Sequence, residues 1–501
     1  MLKLAIITGA LSVLFDAFVY LPPLSNKFKN LIALVAAADI LIFSGASLAA
    51  SINGLTIVLD LINLYRIFNY ARLIRARMHK QYLLRTAQRT AILLIVFQAV
   101  IILLKIGLST FTKVGLSDMI KVCIIVDFVL AAMLLLVTLR NIRKTEALPF
   151  GQTIDYERVP TVSVCIPARN ETDDLEACLR SLLSNNYPKL EILVLDDCSQ
   201  DRHTAEVIRS FAHAGVRFLQ GEPAPKEHWL AKNWAYEQLL KEASGEYIVF
   251  CGVDVRFEPK SLVSIVSTIM RKKKSMMSIV PEYFDDRGKI RLIQPMRYFW
   301  EIAPPRRIFR RPPVLSSCWI INSARMHELG GFSSVTRSIV PEAFFAHSFI
   351  ANNGYSFVRS SGVLGITSFK VVSEQWDTAV RVRYPQLHRH PEWVMLVTLF
   401  ETTVLLVPFA YVLFGWLAGV DYIWALAMAT VILLWISYGW TIKNTFYKNS
   451  LVSALALPAA LILDTFLANY SMYRYEFSDI EWKERNVCIP VMHVTPSLPP
   501  N

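Results

Sequence analysis

The chain has 501 residues, room for roughly three folding units at about 150 residues each. Apolar residues make up 54% and charged residues 18%. The apolar excess gathers in runs of about 20 residues, the length that crosses a hydrocarbon core of about 30 Å, so a single soluble globule is excluded. The net charge of +12 raises the question of nucleic acid. Lys and Arg cluster beside the apolar runs, however, a placement that fits anionic lipid headgroups and not nucleic acid. The seven Cys show no CxxC spacing. They read as reduced thiols of a cytoplasmic domain, not as disulfides or zinc ligands. The first 22 residues are apolar but lack a basic stretch followed by a small-residue cleavage site, so no cleavable signal peptide is expected.

In chain order, five apolar segments precede residue 141, near 4–22, 31–50, 53–69, 91–110 and 119–139. The second and third read as a helical hairpin turned near residues 51–54. Arg72, Arg75, Arg77, Lys80, Arg85 and Arg89 follow the third segment, which assigns that stretch to the cytoplasm. Lys27 and Lys29, two crossings earlier, and the basic stretch 140–144, two crossings later, fall on the same side. These loops predict an N-terminal transmembrane region, 1–144, with its N-terminus outside and a cytoplasmic domain over 145–390. Three further apolar segments, near 393–417, 422–440 and 451–470, predict a second transmembrane region over 391–470. A polar tail, 471–501, ends the chain. Strict alternation puts this tail outside, whereas its Arg474, Lys483 and Arg485 favour the inside. The apolar regions also carry Asp16, Asp39, Asp60, Arg66, Lys105, Asp127, Glu401 and Asp464. Such residues either pair with one another or line a polar path.

Within 145–390 the pattern alternates. Strands are expected at 162–167, 191–197, 216–221 and 247–254, and helices at 171–184, 201–214 and 230–243. Alternation of this kind predicts an α/β domain with a mostly parallel sheet and helices on both faces. No GxGxxG follows the first strand and no P-loop occurs, which disfavours a dinucleotide-binding domain or an ATPase.

Acidic clusters fall where these strands end. The first strand runs into Pro167, Arg169 and Glu171, the second into Asp196 and Asp197, and the fourth into Asp254. A later helix opens with Pro341 and Glu342. One such cluster alone is most simply a turn or a helix cap. Three at the carboxyl ends of parallel strands converge on the edge where ligands bind. Carboxylates together with Arg169 and Lys232 suit a divalent ion bridging a diphosphate, and oxygen ligands favour Mg2+ or Mn2+. Lys232 sits in a Trp-rich turn that opens a helix, a place suited to phosphate oxygens. The aromatic and basic stretch 295–313 suits a segment in the headgroup layer.

Residues 160–370 resemble a family 2 glycosyltransferase domain with the GT-A fold. VSVCIPARNET, the double aspartate at 196–197, GEPAPKEHWLAKNWA and the acid after the fourth strand carry the resemblance, in family order. The WLAKNW stretch, the C-terminal segments and the EWKER string are similar to membrane-bound bacterial members near the carotenoid- and hopanoid-associated enzymes. The first 140 residues have no counterpart in that resemblance. It implies that Pro167, Arg169 and Glu171 line the nucleotide pocket and that Asp196 and Asp197 bind substrate, with Asp197 facing the base. It implies further that Lys232, flanked by Trp229 and Trp234, meets the diphosphate. Asp254 would hold the metal, and Glu342 would deprotonate the acceptor hydroxyl. Residues 318–322 and Gly330, Gly331 and Phe332 match the acceptor-side strand and the turn after it. The donor implied is a nucleotide sugar, UDP- or GDP-linked, and the acceptor a membrane lipid or lipid-linked hydroxyl.

The chain departs from the family pattern at two acids. Gly252 stands where Asp-x-Asp has its first aspartate, and Ala343 where Glu-Asp has its second acid. Two readings follow. One is an inverting, membrane-integral hexosyltransferase. The other is a degenerate relative that binds a sugar nucleotide or polyprenyl phosphate, or scaffolds an active partner, without turnover.

Overall fold

A computed structural model describes residues 26–79, 89–102, 116–149, 159–225, 229–283, 292–304, 312–361, 365–418, 421–446, 450–478, 480–482 and 485–486, with Leu11, Phe15 and Val19. Most of the expected segment 4–22, together with Asp16, Lys80, Arg85 and Lys105, lies outside them.

The central domain is built on a seven-stranded sheet in the order β3-β2-β1-β4-β8-β6-β9. Its strands are β1 (Val162–Ala168), β2 (Leu190–Asp196), β3 (Val216–Gln220), β4 (Tyr247–Cys251), β6 (Met276–Val280), β8 (Cys318–Asn322) and β9 (Tyr355–Arg359). The first four pair in parallel, with Ala168 level with Asp196. β8 runs antiparallel between β4 and β6. Both faces of β1, β2 and β4 are buried, which is why these strands read as continuous apolar runs instead of alternating ones. One face packs Val164, Ile166 and Val249 against Leu175, Leu179 and Ile265 of two helices. The other packs Cys165, Leu193 and Phe250 against Tyr236, Leu239 and Phe345. A small second sheet, β5-β10-β7, closes the domain beside β4; β5 is Val255–Phe257, β7 Glu282–Tyr283 and β10 Ile366–Ser368.

Among the described residues, four helices are long and apolar enough to cross a membrane: Lys27–Ala49, Ile120–Lys144, Pro391–Leu417 and Tyr422–Lys443. They coincide with four of the expected segments. The expected segment 53–69 falls in the helix Gly54–His79, which is not among the four. This helix carries charge along its length, and its Arg66 and Arg72 are buried. The segment expected at 451–470 is broken into the helices Ser450–Leu455 and Leu457–Phe477. Pro458 follows the break, in the first turn of the second helix, where a missing N–H costs nothing.

Buried charges of the C-terminal helices pair. The Arg383 guanidinium holds Asp464 and lies 3.4 Å from Glu401. Asp464 also accepts from Trp300 Nε1 at 2.7 Å, and Glu401 from Thr465 Oγ1 at 2.6 Å. Arg66 donates to Gln98. Pairing is what makes such groups tolerable away from water, and of the two sequence readings it is the one realised for these residues.

Two expectations change. Arg72 and Arg75, read as part of a loop, continue the helix Gly54–His79. Arg72 Nε lies 2.9 Å from Glu476 at the end of the helix Leu457–Phe477, and Arg75 Nη1 donates to the Glu476 carbonyl at 2.5 Å. Each loop charge has found a buried carboxylate or carbonyl, so the helix extends to deliver it. The second change concerns 295–313. Its first part is the helix Ile293–Ile302, whose Tyr298, Phe299 and Ile302 are buried against Leu405, Phe409, Leu434 and Tyr438 of the C-terminal helices. These side chains join the central domain to the apolar helices. Residues 305–311 lie outside the described part.

Candidate active site

Strand ends build the site. The chain leaves β1 through Asn170, with a φ of 48°, and leaves β2 through Cys198, with a φ of 52°. Asn and a small residue tolerate this left-handed geometry. Asp197 N donates to the Ala168 carbonyl at 2.8 Å, and Ser199 N to Asp196 Oδ1 at 3.0 Å. Asp196, expected to bind substrate, thus also caps its own turn through one carboxylate oxygen. Its carbonyl also accepts from Gly221 N at 2.9 Å. A Cβ on Gly221 would meet that oxygen at 2.7 Å, so only glycine fits this crossing.

Arg169 is buried, and its Nη1 donates to the carbonyls of Asp197, at 2.9 Å, and Cys198. It holds the turn after β2, beside the pocket it was expected to line. Pro167 is half-buried near the end of β1. Glu171 follows, with its N–H donating to Thr204 Oγ1 at 3.0 Å.

Asp197 is 1% exposed. Both its carboxylate oxygens accept from Arg485 Nη1 at 2.7 Å, and its carbonyl from Arg485 Nη2 at 2.9 Å. Burial pushes the Asp197 carboxyl up, against the pull of Arg485 and Arg169. Arg485 comes from a two-stranded hairpin, β11 (Glu481–Trp482) with β12 (Arg485–Asn486), just past the last helix. The described part of the tail therefore lies on the same side as the central domain. Sequence reasoning noted the EWKER string but gave Arg485 no role. The pairing spans 288 residues and leaves no local signal.

A second group of residues surrounds Lys232. The helix Ala231–Glu242 begins one residue earlier, so Lys232 stands in its first turn as expected. Asn233 fixes the turn: its Nδ2 donates to the carbonyls of Val335 and Ser338 at 2.9 Å. Trp229 and Trp234 meet edge to face, centroids 5.1 Å apart, and Trp234 Nε1 donates to the Glu222 carbonyl at 3.0 Å. The two tryptophans brace the loop. Lys232 Nζ lies 5.4 Å from the Tyr236 ring centre. Burial pulls its ammonium down to about 8; Glu342 opposes this, while Arg381, Lys370 and Arg297 add to it. Burial likewise depresses Lys370, with Asp254 opposing, and pulls Arg381 down to about 10. Four cations, Lys232, Arg297, Lys370 and Arg381, thus crowd two carboxylates, Glu342 and Asp254. Burial is the main cause of the shifts of Lys232, Lys370 and Arg381, with neighbouring cations adding to it, and a buried set of cations of this kind suits an anion.

Glu342 is 2% exposed and lies in the first turn of the helix Pro341–Ile350, where the helix dipole favours negative charge. Ala343 packs at the edge of the neighbouring aromatic cluster. Asp254 sits in the tight turn between β4 and β5; its Oδ2 accepts from Ser368 Oγ at 3.1 Å. A Cβ on Gly252 would stand 2.6 Å from Asp254 Oδ1, so a second aspartate there requires the Asp254 carboxylate to turn away. Among the described residues no group of three or more His, Cys, Asp or Glu is arranged to hold a metal ion. Asp254 is the residue that would hold Mg2+ or Mn2+, which would supply charge neutralisation beside a diphosphate.

Arg297, Lys370 and Arg381 were missed in the sequence. They lie on three segments far in sequence from the strand-end motifs. Gln375 is buried, with Nε2 donating to Tyr283 Oη at 2.6 Å.

Comparison with known proteins gives these similarities. Residues 163–329 match the family model described as glycosyl transferase family 2. The chain is 36% identical over 115 residues to the glycosyltransferase AglE of Haloferax volcanii, covering 22% of this chain and 36% of that one. It is 29% identical over 136 residues to the 4,4'-diaponeurosporenoate glycosyltransferase of Staphylococcus haemolyticus, covering 27% and 35%. The matched stretch is thus roughly a third of those relatives' length. A mannosyltransferase of Pyrobaculum calidifontis, solved with GDP-Man and Mn2+, aligns with a TM-score of 0.42 at 18% identity, covering 70% of this chain and 99% of that one. With its parallel sheet, its strand-end site and this family match, the central domain is a family 2 glycosyltransferase domain of the GT-A fold, flanked by apolar helices.

Proposed function

We propose that this chain transfers a sugar from a nucleotide-sugar donor, UDP- or GDP-linked, to a membrane lipid or lipid-linked acceptor, with inversion. The observation that carries the reading is the crowd of four cations around Glu342 and Asp254. A diphosphate has the charge to satisfy them. Lys232 and Lys370 hold the diphosphate, and Asp197 faces the nucleoside end. Glu342 accepts the proton of the acceptor hydroxyl. The acceptor oxygen then bonds to the anomeric carbon while the bond from that carbon to the diphosphate oxygen breaks, and the nucleoside diphosphate leaves. A divalent ion held by Asp254 would supply further neutralisation of the leaving group. The cytoplasmic face is the reading's side for the domain, since the nucleotide sugars are drawn from the cytoplasm and the basic segments favour it.

The competing reading, donor binding without turnover, draws on Gly252 and Ala343. Purified protein, a panel of nucleotide sugars and membrane lipid extract decide between them. Transfer that Glu342→Gln abolishes supports the enzyme. Tight donor binding with no transfer from any donor supports the binding module.

A further inference from the structure

The helix Ser261–Arg271 runs into a basic stretch, Arg271, Lys272, Lys273 and Lys274. Lys272 Nζ lies 2.8 Å from the carboxylate of Glu146, just past the apolar helix Ile120–Lys144. Lys272 holds the Glu146 carboxyl below its usual range against burial, and Arg271 adds to the pull. The basic stretch therefore stands beside the end of that apolar helix. Arg359, at the end of β9, ties in a second one. Its Nε donates to the Thr145 carbonyl at 3.1 Å, and its Nη1 to the Asn444 carbonyl at 3.3 Å. Asn444 directly follows Lys443, where the apolar helix Tyr422–Lys443 stops. Three basic segments, distant in the chain, thus meet at the level where two helices able to cross a membrane end.

The cations at this level are exposed. Arg140, Arg143 and Lys144 share one helix face. That face points away from the central domain, because Asn141 on the other face donates to the carbonyls of Ile302 at 2.8 Å and Pro304 at 3.0 Å. Arg271, Lys273 and Lys443 are exposed too. Lys443 Nζ lies 5.5 Å from the ring centre of Trp440, itself 43% exposed, and exposed aromatics beside cations suit a membrane–water boundary. Glu146, the carboxylate among them, is already taken by Lys272. Charges that set topology lie within about 20 residues of a span. Arg271 and Lys273 are far in sequence from both flanking apolar helices, Ile120–Lys144 and Pro391–Leu417, so topology does not account for them. A helix C-terminus favours a cation wherever it lies. Here it is brought against two helix ends of the same sign, a repulsion that an anionic surface relieves.

We infer that this face of the central domain, together with the two helix ends, is a docking surface for anionic phospholipid headgroups of the leaflet in which those helices end. The occupant is lipid because the cations stand where the apolar helices stop. The inference does not depend on the transferase reading, and no residue of the strand-end site takes part in it.

The test uses full-length protein in dodecyl maltoside micelles. It is titrated with dioleoyl phosphatidylglycerol or, as the zwitterionic control, dioleoyl phosphatidylcholine, and the thermal midpoint is the readout. Phosphatidylglycerol should raise the midpoint saturably, and phosphatidylcholine should not. Each cation near an anionic surface strengthens the attraction about fivefold, so Arg271→Gln with Lys273→Gln should raise the half-saturating phosphatidylglycerol fraction at least about tenfold at low salt. Half-saturation is read from the rise, so a shifted baseline in a variant does not hide the outcome. Arg202 and Arg209 are exposed on the helix Arg202–Ser210, which packs beside β3 at the far edge of the sheet. The same charge change there, Arg202→Gln with Arg209→Gln, should leave half-saturation within about twofold of wild type. Salt at about 1 M, where the screening length falls to about 3 Å, should remove the difference between wild type and the Arg271 and Lys273 variant. Equal effects of the two lipids, unchanged half-saturation in that variant, or an equal loss in the Arg202 and Arg209 variant overturns the inference. So does saturable binding of soluble polyglutamate that the Arg271 and Lys273 variant loses while phosphatidylglycerol has no effect, which would assign the face to an acidic protein.

Discussion

Glu342 and Asp254 divide the chemistry at the residue scale, and each can be removed alone. A general base typically supplies about 10²–10⁴-fold in rate. Glu342→Gln should lose transfer by a factor in that range while donor affinity, read by calorimetry, stays within about twofold. Equal transfer rates in mutant and wild type would remove Glu342 from the mechanism. Asp254 is the one acid of its turn, so Asp254→Asn should abolish the Mn2+-dependent part of donor binding. Unchanged affinity with and without Mn2+ would sink the metal assignment. Lys232 gives a pH signature. Its ammonium is pulled down to about 8 in the free protein, and only the charged form attracts a diphosphate. Donor affinity should therefore be full below about pH 8 and fall as pH rises through it. The stability sign is opposite: a lysine depressed in the folded state is charged at less cost when unfolded, so folding is favoured by rising pH between that value and 10.5. Lys232→Arg, which stays charged, should flatten the alkaline limb of the binding profile. A limb that persists in the variant would assign it to another group.

At the scale of elements, the helix Gly54–His79 is tied to the catalytic domain through the far end of the chain. Arg72 and Glu476 form an ion pair with side-chain exposures of 1% and 9%, and Tyr384 Oη donates to Glu476 at 2.7 Å. Removing one partner of a buried pair costs about 3–5 kcal/mol, because the other charge is left uncompensated. Arg72→Met should lower the thermal midpoint clearly, whereas the double change Arg72→Met with Glu476→Gln should recover part of the loss. Thermal unfolding in detergent measures both, and additive losses would show that the two groups act apart. The hairpin that carries Arg485 starts four residues beyond Phe477, so this contact also sets where Arg485 meets Asp197.

The whole molecule joins N-terminal helices, catalytic domain and C-terminal helices through buried polar contacts across hundreds of residues. Tyr65 Oη donates to Asn469 at 2.6 Å, and Thr90 Oγ1 to Glu392 at 2.9 Å. The expected topology can be checked directly. Ser210 is exposed on the catalytic domain, and a cysteine introduced there should resist an impermeant thiol reagent in intact cells and react after permeabilisation. Labelling in intact cells would put the domain outside and cut it off from cytoplasmic donors.

Much of this architecture was legible in the residues alone, for physical reasons that are local. Buried parallel strands must be apolar throughout, so β1, β2 and β4 declared themselves as runs, and their acids fell at the ends where the chain turns out of the sheet. Membrane-crossing helices need about 20 apolar residues whatever surrounds them, so four of the segments stood out by length. What only the tertiary structure decided depends on partners distant in sequence. Asp196 and Asp197 are neighbours with the same chemistry, yet one caps its turn and the other meets Arg485 from across the fold. Arg72 reads as a loop charge until Glu476 is seen beside it. Arg297, Lys370 and Arg381 carry no motif, because long-range electrostatics selects for where a charge arrives in space and leaves its sequence neighbours unconstrained.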